Sequence, residues 1–157
     1  TLPASLEALG ILAPWIDRCP HLRDLPAADR RRLETALYEA AANVVEHGLQ
    51  LEAGESFDLW WVPRPSDPAA ARTAEERVHR GYFVMRDAGF PFSPGRWQPQ
   101  DLRDPQRRLY GRGLGLDLIH IAMDEVVYRP ATPAGNLTFL SFDPAKEAAQ
   151  PKEDPHV

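Results

Sequence analysis

The sequence is poor in cysteine and lysine: Cys19 stands alone, and Lys146 and Lys152 are the only lysines in 157 residues. A single cysteine excludes an intramolecular disulfide and a cysteine-rich metal cluster, and a reducing, cytoplasmic setting is the expectation. No apolar run approaches the ~18 residues that span a bilayer, and no basic-then-apolar signal segment opens the chain. Positive charge is also short, with 18 Lys and Arg against 23 Asp and Glu and a net charge of −5. A chain of this balance offers no general attraction for nucleic acid or an anionic membrane, so neither is expected as a direct partner. The one excess is proline, 16 residues, about twice ordinary usage. With 43% hydrophobic residues there is material for one sizeable core, so the prolines mark either linker or long, stiff loops around a compact domain.

The prolines cluster, and the segments between the clusters are periodic. Ser5 to about Arg18 reads as a helix capped by Ser5 and kinked at Pro14. A second helix opens at Leu25-Pro26, and Leu33, Leu37, Ala40, Ala41, Val44 and Gly48 follow helical spacing along it, with Gly48 as a natural stop. Ser56–Val62 and Tyr82–Arg86 read as strands. Between them residues 63–80 form a surface excursion, with a short helix predicted over 73–79. Leu114–Met123 reads as a third helix, and Val126–Tyr128 and Leu137–Phe142 as strands joined by a turn holding Pro133 and Gly135. Residues 145–157 read as a disordered tail. The expected architecture is one domain over 1–144, an α/β (α+β) two-layer sandwich with a mostly antiparallel sheet.

Three constellations could carry chemistry. Glu39 and Asn43 lie one turn apart on the second helix, so a carboxylate that accepts a proton and an amide oxygen suited to Mg²⁺ point the same way. Polar residues at this spacing also make an ordinary solvated face. Asp87-Ala-Gly89 follows a strand directly: the carboxylate suits an exocyclic amine and the glycine permits close approach, though Asp-Ala-Gly also simply turns a chain. Gly111-Arg-Gly113-Leu-Gly115-Leu116 opens the third helix, where converging N–H groups favour phosphate. The spacing is not that of a dinucleotide-binding turn, no strand precedes it, and no Lys-Ser/Thr follows as a P-loop requires. A flexible hinge remains the alternative.

Taken in order, these segments resemble the GHKL ATPase superfamily, and within it the bacterial anti-sigma-factor serine kinases. Glu39-Ala-Ala-Ala-Asn43-Val-Val-Glu-His47-Gly48 is similar to the family's N box, Asp87-Ala-Gly89-Phe-Pro-Phe92 to its first glycine box, and Gly111 to Leu116 to the second. Met123-Asp-Glu-Val-Val-Tyr128 and Gly135-Asn-Leu-Thr138 resemble the closing elements. The resemblance, over about residues 2–142, implies a Bergerat fold with helices covering one face of a mixed, mostly antiparallel sheet. It implies ATP and Mg²⁺ as ligands, Glu39 as general base, Asn43 as the metal ligand, and Asp87 on the adenine amine with Gly89 giving the base room. It further implies that Gly111, Gly113 and Gly115 present N–H groups to phosphate, and that 92–113 is the ATP lid, with Arg108 or Arg112 reaching the γ-phosphate. His47, Phe92, Leu114 and Leu116 complete the nucleotide-binding set. The implied partners are a STAS-domain anti-anti-sigma protein as phosphoacceptor, an alternative sigma factor, and a second copy in a homodimer.

Two departures stand out. Asn136 follows Gly135 where some superfamily members place a threonine, and the 63–80 excursion is longer than the usual hairpin. The alternative function is a non-catalytic, ATP-binding partner switch. Because the chain begins at Thr1 and similar domains are fused to phosphatase or receiver modules, a piece of a larger regulator is part of that expectation.

Overall fold

A computed structural model describes residues 1–63, 81–92 and 114–143. A short strand β1 (Leu2–Pro3) leads to a 3₁₀ turn over Glu7–Ile11 and helix α1 (Leu12–Arg18). Ser5 starts this segment as expected: its Oγ accepts a hydrogen bond from the Ala8 N–H at 3.2 Å. Pro14 explains why one predicted helix is two pieces. Inside a continuous helix its ring would press on the carbonyl four residues back, whereas in the first turn of α1 its missing N–H is not needed.

Helix α2 spans Ala27–Asn43. Leu33, Ala36, Leu37, Ala40 and Ala41 are buried along it, which is the apolar stripe the spacing predicts. Strand β2 (Ser56–Pro63) and strand β3 (Gly81–Asp87) follow, then helix α3 (Leu114–Ala122) and the hairpin of β4 (Glu125–Thr132) and β5 (Gly135–Phe142). The strands form one sheet in the order β1-β2-β3-β5-β4, and its pairings are all antiparallel. The antiparallel majority expected from the sequence is therefore the whole of the described sheet.

The helices lie on one face. Phe57, Phe83, Met85, Leu140 and Phe142 from the strands meet Ile16, Leu33, Leu37, Val45 and Ile119 from the helical side. Strand alternation turns Trp61 inward against Phe83, with ring centroids 4.6 Å apart, and Trp60 outward, where the Arg86 guanidinium lies 5.2 Å from its ring. Gly81 faces Trp61 so closely that an added Cβ would lie 2.5 Å from the indole. The Arg30–Arg32 run is engaged within the chain: Arg30 pairs with Asp17 on α1 and with Glu34 at 2.8 Å, and Arg32 donates to the Asp143 carbonyl at 3.1 Å. Arg30 thus joins α1 to α2 and holds the Asp17 carboxyl below its ordinary pKa, chiefly by hydrogen bonding.

The end of α2 differs from its prediction. Val44–Gly48 widens into a π-helical turn, with the Leu49 N–H donating to the Val44 carbonyl at 2.8 Å. Gly48 ends the helical segment as the spacing predicts, without itself taking the left-handed conformation. That conformation falls on Gln50 and Leu51, with φ of 53° and 58°. Gly48 is needed for a different reason, the approach of a second backbone described below. Single wide turns of this kind are frequent where a helix serves a site.

The 64–80 segment, the body of the 92–113 segment and the tail lie outside the described residues, as does the short helix predicted over 73–79.

Candidate functional site

At the end of β3, Asp87 is buried, 7% exposed, and sits opposite Asn136 in the β3–β5 register. Its Oδ1 accepts the Gly89 N–H at 3.0 Å and the Asn136 side-chain amide at 2.8 Å. Both described bonds fall on one carboxylate oxygen, which leaves Oδ2 as an acceptor for a ligand. The Asn136 amide also reaches the Gly89 carbonyl at 2.9 Å and the Phe90 carbonyl at 3.3 Å, and its Oδ1 accepts the Ala131 N–H at 3.0 Å. The residue that departs from the family pattern is therefore the clasp that fixes Asp87 and the turn after it.

The same turn is pressed against the π-helical end of α2. The Phe90 N–H donates to the Gly48 carbonyl at 2.8 Å, and a Cβ at Gly89 would fall on that carbonyl. A Cβ at Gly48 would lie 3.3 Å from Asp87 Oδ1. The space that Gly89 keeps open is occupied by backbone. Gly135 closes the cluster from β5 with φ of 101°, and a Cβ there would fall on the Asp87 carbonyl oxygen.

Back along α2, at 1.5 Å per residue, Asn43 stands about 7 Å and Glu39 about 13 Å from Gly48, both half-buried. Gly115, in the first turn of α3, meets them: its Cβ would lie 2.7 Å from Glu39 Oε2 and 3.9 Å from Asn43 Oδ1. Absence of a side chain at Gly115 thus lets α3 start against the carboxylate and the amide. Among the described residues no group of three or more His, Cys, Asp or Glu could hold a metal ion. A cation here would take the Asn43 amide oxygen together with oxygens of a ligand and water, a set that suits Mg²⁺.

Between these two ends runs a cleft lined by Ala40, Asn43, Asp87, Phe92, Tyr128 and Thr138, among others. Phe92 meets Tyr128 edge to face, with centroids 5.3 Å apart and planes at 72°. The Tyr128 oxygen is shut off from solvent and has no hydrogen-bond partner among the described residues. Burial pushes its pKa up to about 12, so the phenol remains a protonated donor at neutral pH. His120, 6.4 Å from the Tyr128 ring, has its pKa lowered by burial, opposed by the charge of Asp117.

Of the residues singled out in the sequence, Glu39, Asn43 and Gly115 come together, and Asp87, Gly89 and Phe92 gather at the other end of the cleft. Leu114 is half-buried at the start of α3, and Leu116 packs against the core. His47 is exposed. Arg108, Gly111, Arg112 and Gly113 lie outside the described residues. The sequence reading missed Tyr128 and Thr138 as cleft residues and took Asn136 only as a departure. Their signal was a strand register, Tyr128 opposite Thr138 and Asp87 opposite Asn136, which a linear reading does not provide.

Replacing Asn136 with alanine removes the donor that holds Asp87 and leaves the Ala131 N–H without its acceptor. A loss of about 2 kcal/mol is expected, or a melting temperature lower by roughly 4–8 °C. Asn136→Thr, which keeps one hydroxyl, should recover part of it. Thermal melts of both variants check this, and an unchanged alanine variant would show that the clasp carries no stability.

A family model described as the histidine kinase-like ATPase domain matches residues 2–142. No curated protein matches the sequence.

Proposed function

The chain belongs to the histidine kinase-like ATPase domain family, and we propose that it is an ATP-dependent protein serine kinase that also acts as an anti-sigma factor. On this reading it phosphorylates a STAS-type anti-anti-sigma protein and sequesters an alternative sigma factor. The observation that carries the catalytic part is the meeting of Gly115 with Glu39 and Asn43, which brings a proton acceptor, an amide oxygen and the first turn of α3 to one place. The family is one of ATP-binding domains, and the residues fit that ligand. Asp87 Oδ2 is left for an amine, Tyr128 offers an unused donor, and the cradle at Gly115 would be filled by any side chain.

The residues divide the work. Asp87, held by Asn136 and the Gly89 N–H, receives the adenine amine. Asn43 would hold Mg²⁺, which would neutralise phosphate charge. Glu39 accepts the proton of the attacking serine hydroxyl, and the hydroxyl oxygen then attacks the terminal phosphorus as the bond to ADP breaks. Such transfer depends on positioning and charge neutralisation more than on covalent help from the protein. With a net charge of −5, the chain draws ATP by backbone amides, a cation and a few arginines rather than by a broad basic field.

The direct test is incubation with Mg·ATP and a STAS protein encoded beside it, with phosphoserine read by mass spectrometry. Phosphoserine formation supports the kinase. ATP binding and sigma-factor capture with no transfer would support the non-catalytic partner switch instead. No helix in the described residues is long and apolar enough to cross a membrane.

A further inference from the structure

We infer that the Tyr128 hydroxyl reads the nucleotide base, donating a hydrogen bond to a ring nitrogen of the purine whose amino group meets Asp87. This rests on the ATP-binding reading above and adds a specificity-determining residue to it.

Sheet geometry puts Tyr128 in place. Val126 and Tyr128 of β4 stand opposite Leu140 and Thr138 of β5. Leu140 is fully buried under the helices and Thr138 lines the cleft, so Tyr128 faces the cleft too. Asp87 and Tyr128 are carried on the two strands that flank β5, strands that lie about 10 Å apart at ordinary spacing, with Asp87 opposite Asn136 and Tyr128 opposite Thr138, two residues along. A ligand group between them is met by an acceptor from one side and a donor from the other.

The hydroxyl itself is the telling atom. It is shut off from solvent without a hydrogen-bond partner among the described residues, a condition that costs free energy and that native structures rarely leave unanswered. It cannot escape readily, since Phe92 holds one edge of the ring at 5.3 Å and His120 stands 6.4 Å away. Most of the rest of the cleft wall is apolar, with Ala40, Val44, Ile119 and Leu137 among its residues. An acceptor delivered by the ligand is what the Tyr128 hydroxyl lacks. Adenine carries an amino donor beside ring-nitrogen acceptors, whereas guanine turns a carbonyl oxygen toward the position of that amine, where the Asp87 carboxylate would repel it.

Tyr128→Phe deletes the oxygen and nothing else. The expected result by calorimetry is ATP binding about 5- to 20-fold weaker, the worth of one buried hydrogen bond. The nucleotide-free melting temperature should be unchanged or raised, because an unsatisfied group has been removed. ATP analogues in which N1, N3 or N7 is replaced by C–H identify the acceptor. One of them should bind the wild type as weakly as Tyr128→Phe binds ATP, with no further loss when variant and analogue are combined. Equal affinity of variant and wild type overturns the inference, as does a lowered nucleotide-free melting temperature, which would reveal a structural partner. Coupling to 2′-deoxy-ATP instead of a ring-nitrogen analogue, or to no analogue, overturns the base assignment. If the wild type itself binds no ATP, the nucleotide reading fails first and this inference with it, an outcome distinct from all the others.

Discussion

Glu39→Gln should lower phosphoryl transfer by about 10²–10⁴-fold, the usual contribution of a positioned general base, and leave ATP affinity unchanged. The substitution keeps the volume and the half-buried position on α2 but removes the capacity to take a proton. Single-turnover measurement of phosphoserine, paired with calorimetry for ATP, separates chemistry from binding. Wild-type transfer by the glutamine variant would remove Glu39 as the base. Gly115→Ala offers an independent check of the same geometry. The added methyl lies 2.7 Å from Glu39 Oε2, the far end of a flexible side chain, so the carboxylate can move aside and the fold survive. The base is then displaced, and transfer should fall by at least about tenfold, since misplacement of about 1 Å costs up to 10²-fold, with little change in melting temperature.

Gly89→Ala should act in the opposite way, on the fold first. Its Cβ falls on the Gly48 carbonyl, and both sides of that contact are backbone. The two segments must separate, and the Phe90 N–H to Gly48 hydrogen bond at 2.8 Å cannot persist. Overpacking and the lost bond together are expected to cost about 3 kcal/mol, or roughly 6–12 °C in melting temperature. ATP affinity should fall with it because the turn that orients Asp87 is lost. Gly10→Ala is the control, because nothing lies within 4 Å of its added Cβ and alanine is the better helix former. Denaturant melts of the two variants side by side test the contrast. Similar midpoints would show that the Gly48–Gly89 contact yields without cost.

The contrast among glycines shows what could be read from the sequence and what could not. The helices, the late hairpin and the order of the boxes follow from periodicity, proline placement and residue type, because these depend on neighbours within a few positions. Glu39 and Asn43 share a helix face for the same reason. Gly48 ends the helical segment as its place in the sequence predicts, but its second role, the approach of Gly89, depends on residues about forty positions away, set by tertiary packing. Asn136 was visible only as a missing threonine. Its bonds to Asp87, Gly89 and Phe90 arise from the β3–β5 register. In the sequence Tyr128 is one more strand aromatic, and the β4–β5 register turns it toward the cleft. Local pattern determines which elements form, and cross-strand register determines which side chains meet.

The clasp around Asp87 also bears on the order of folding. Asn136 joins Asp87, Gly89 and Phe90 across 46 to 49 residues of chain, whereas α2 and the β4–β5 hairpin close over a few. Contacts at such separation meet a larger loop-closure cost before they gain anything. The base end of the cleft is accordingly a late-forming joint, complete only when β3 has paired with β5. A nascent or partly unfolded chain can own its helices and its hairpin and still have no place for a nucleotide, so ligand binding reports on the finished fold and draws the chain toward it.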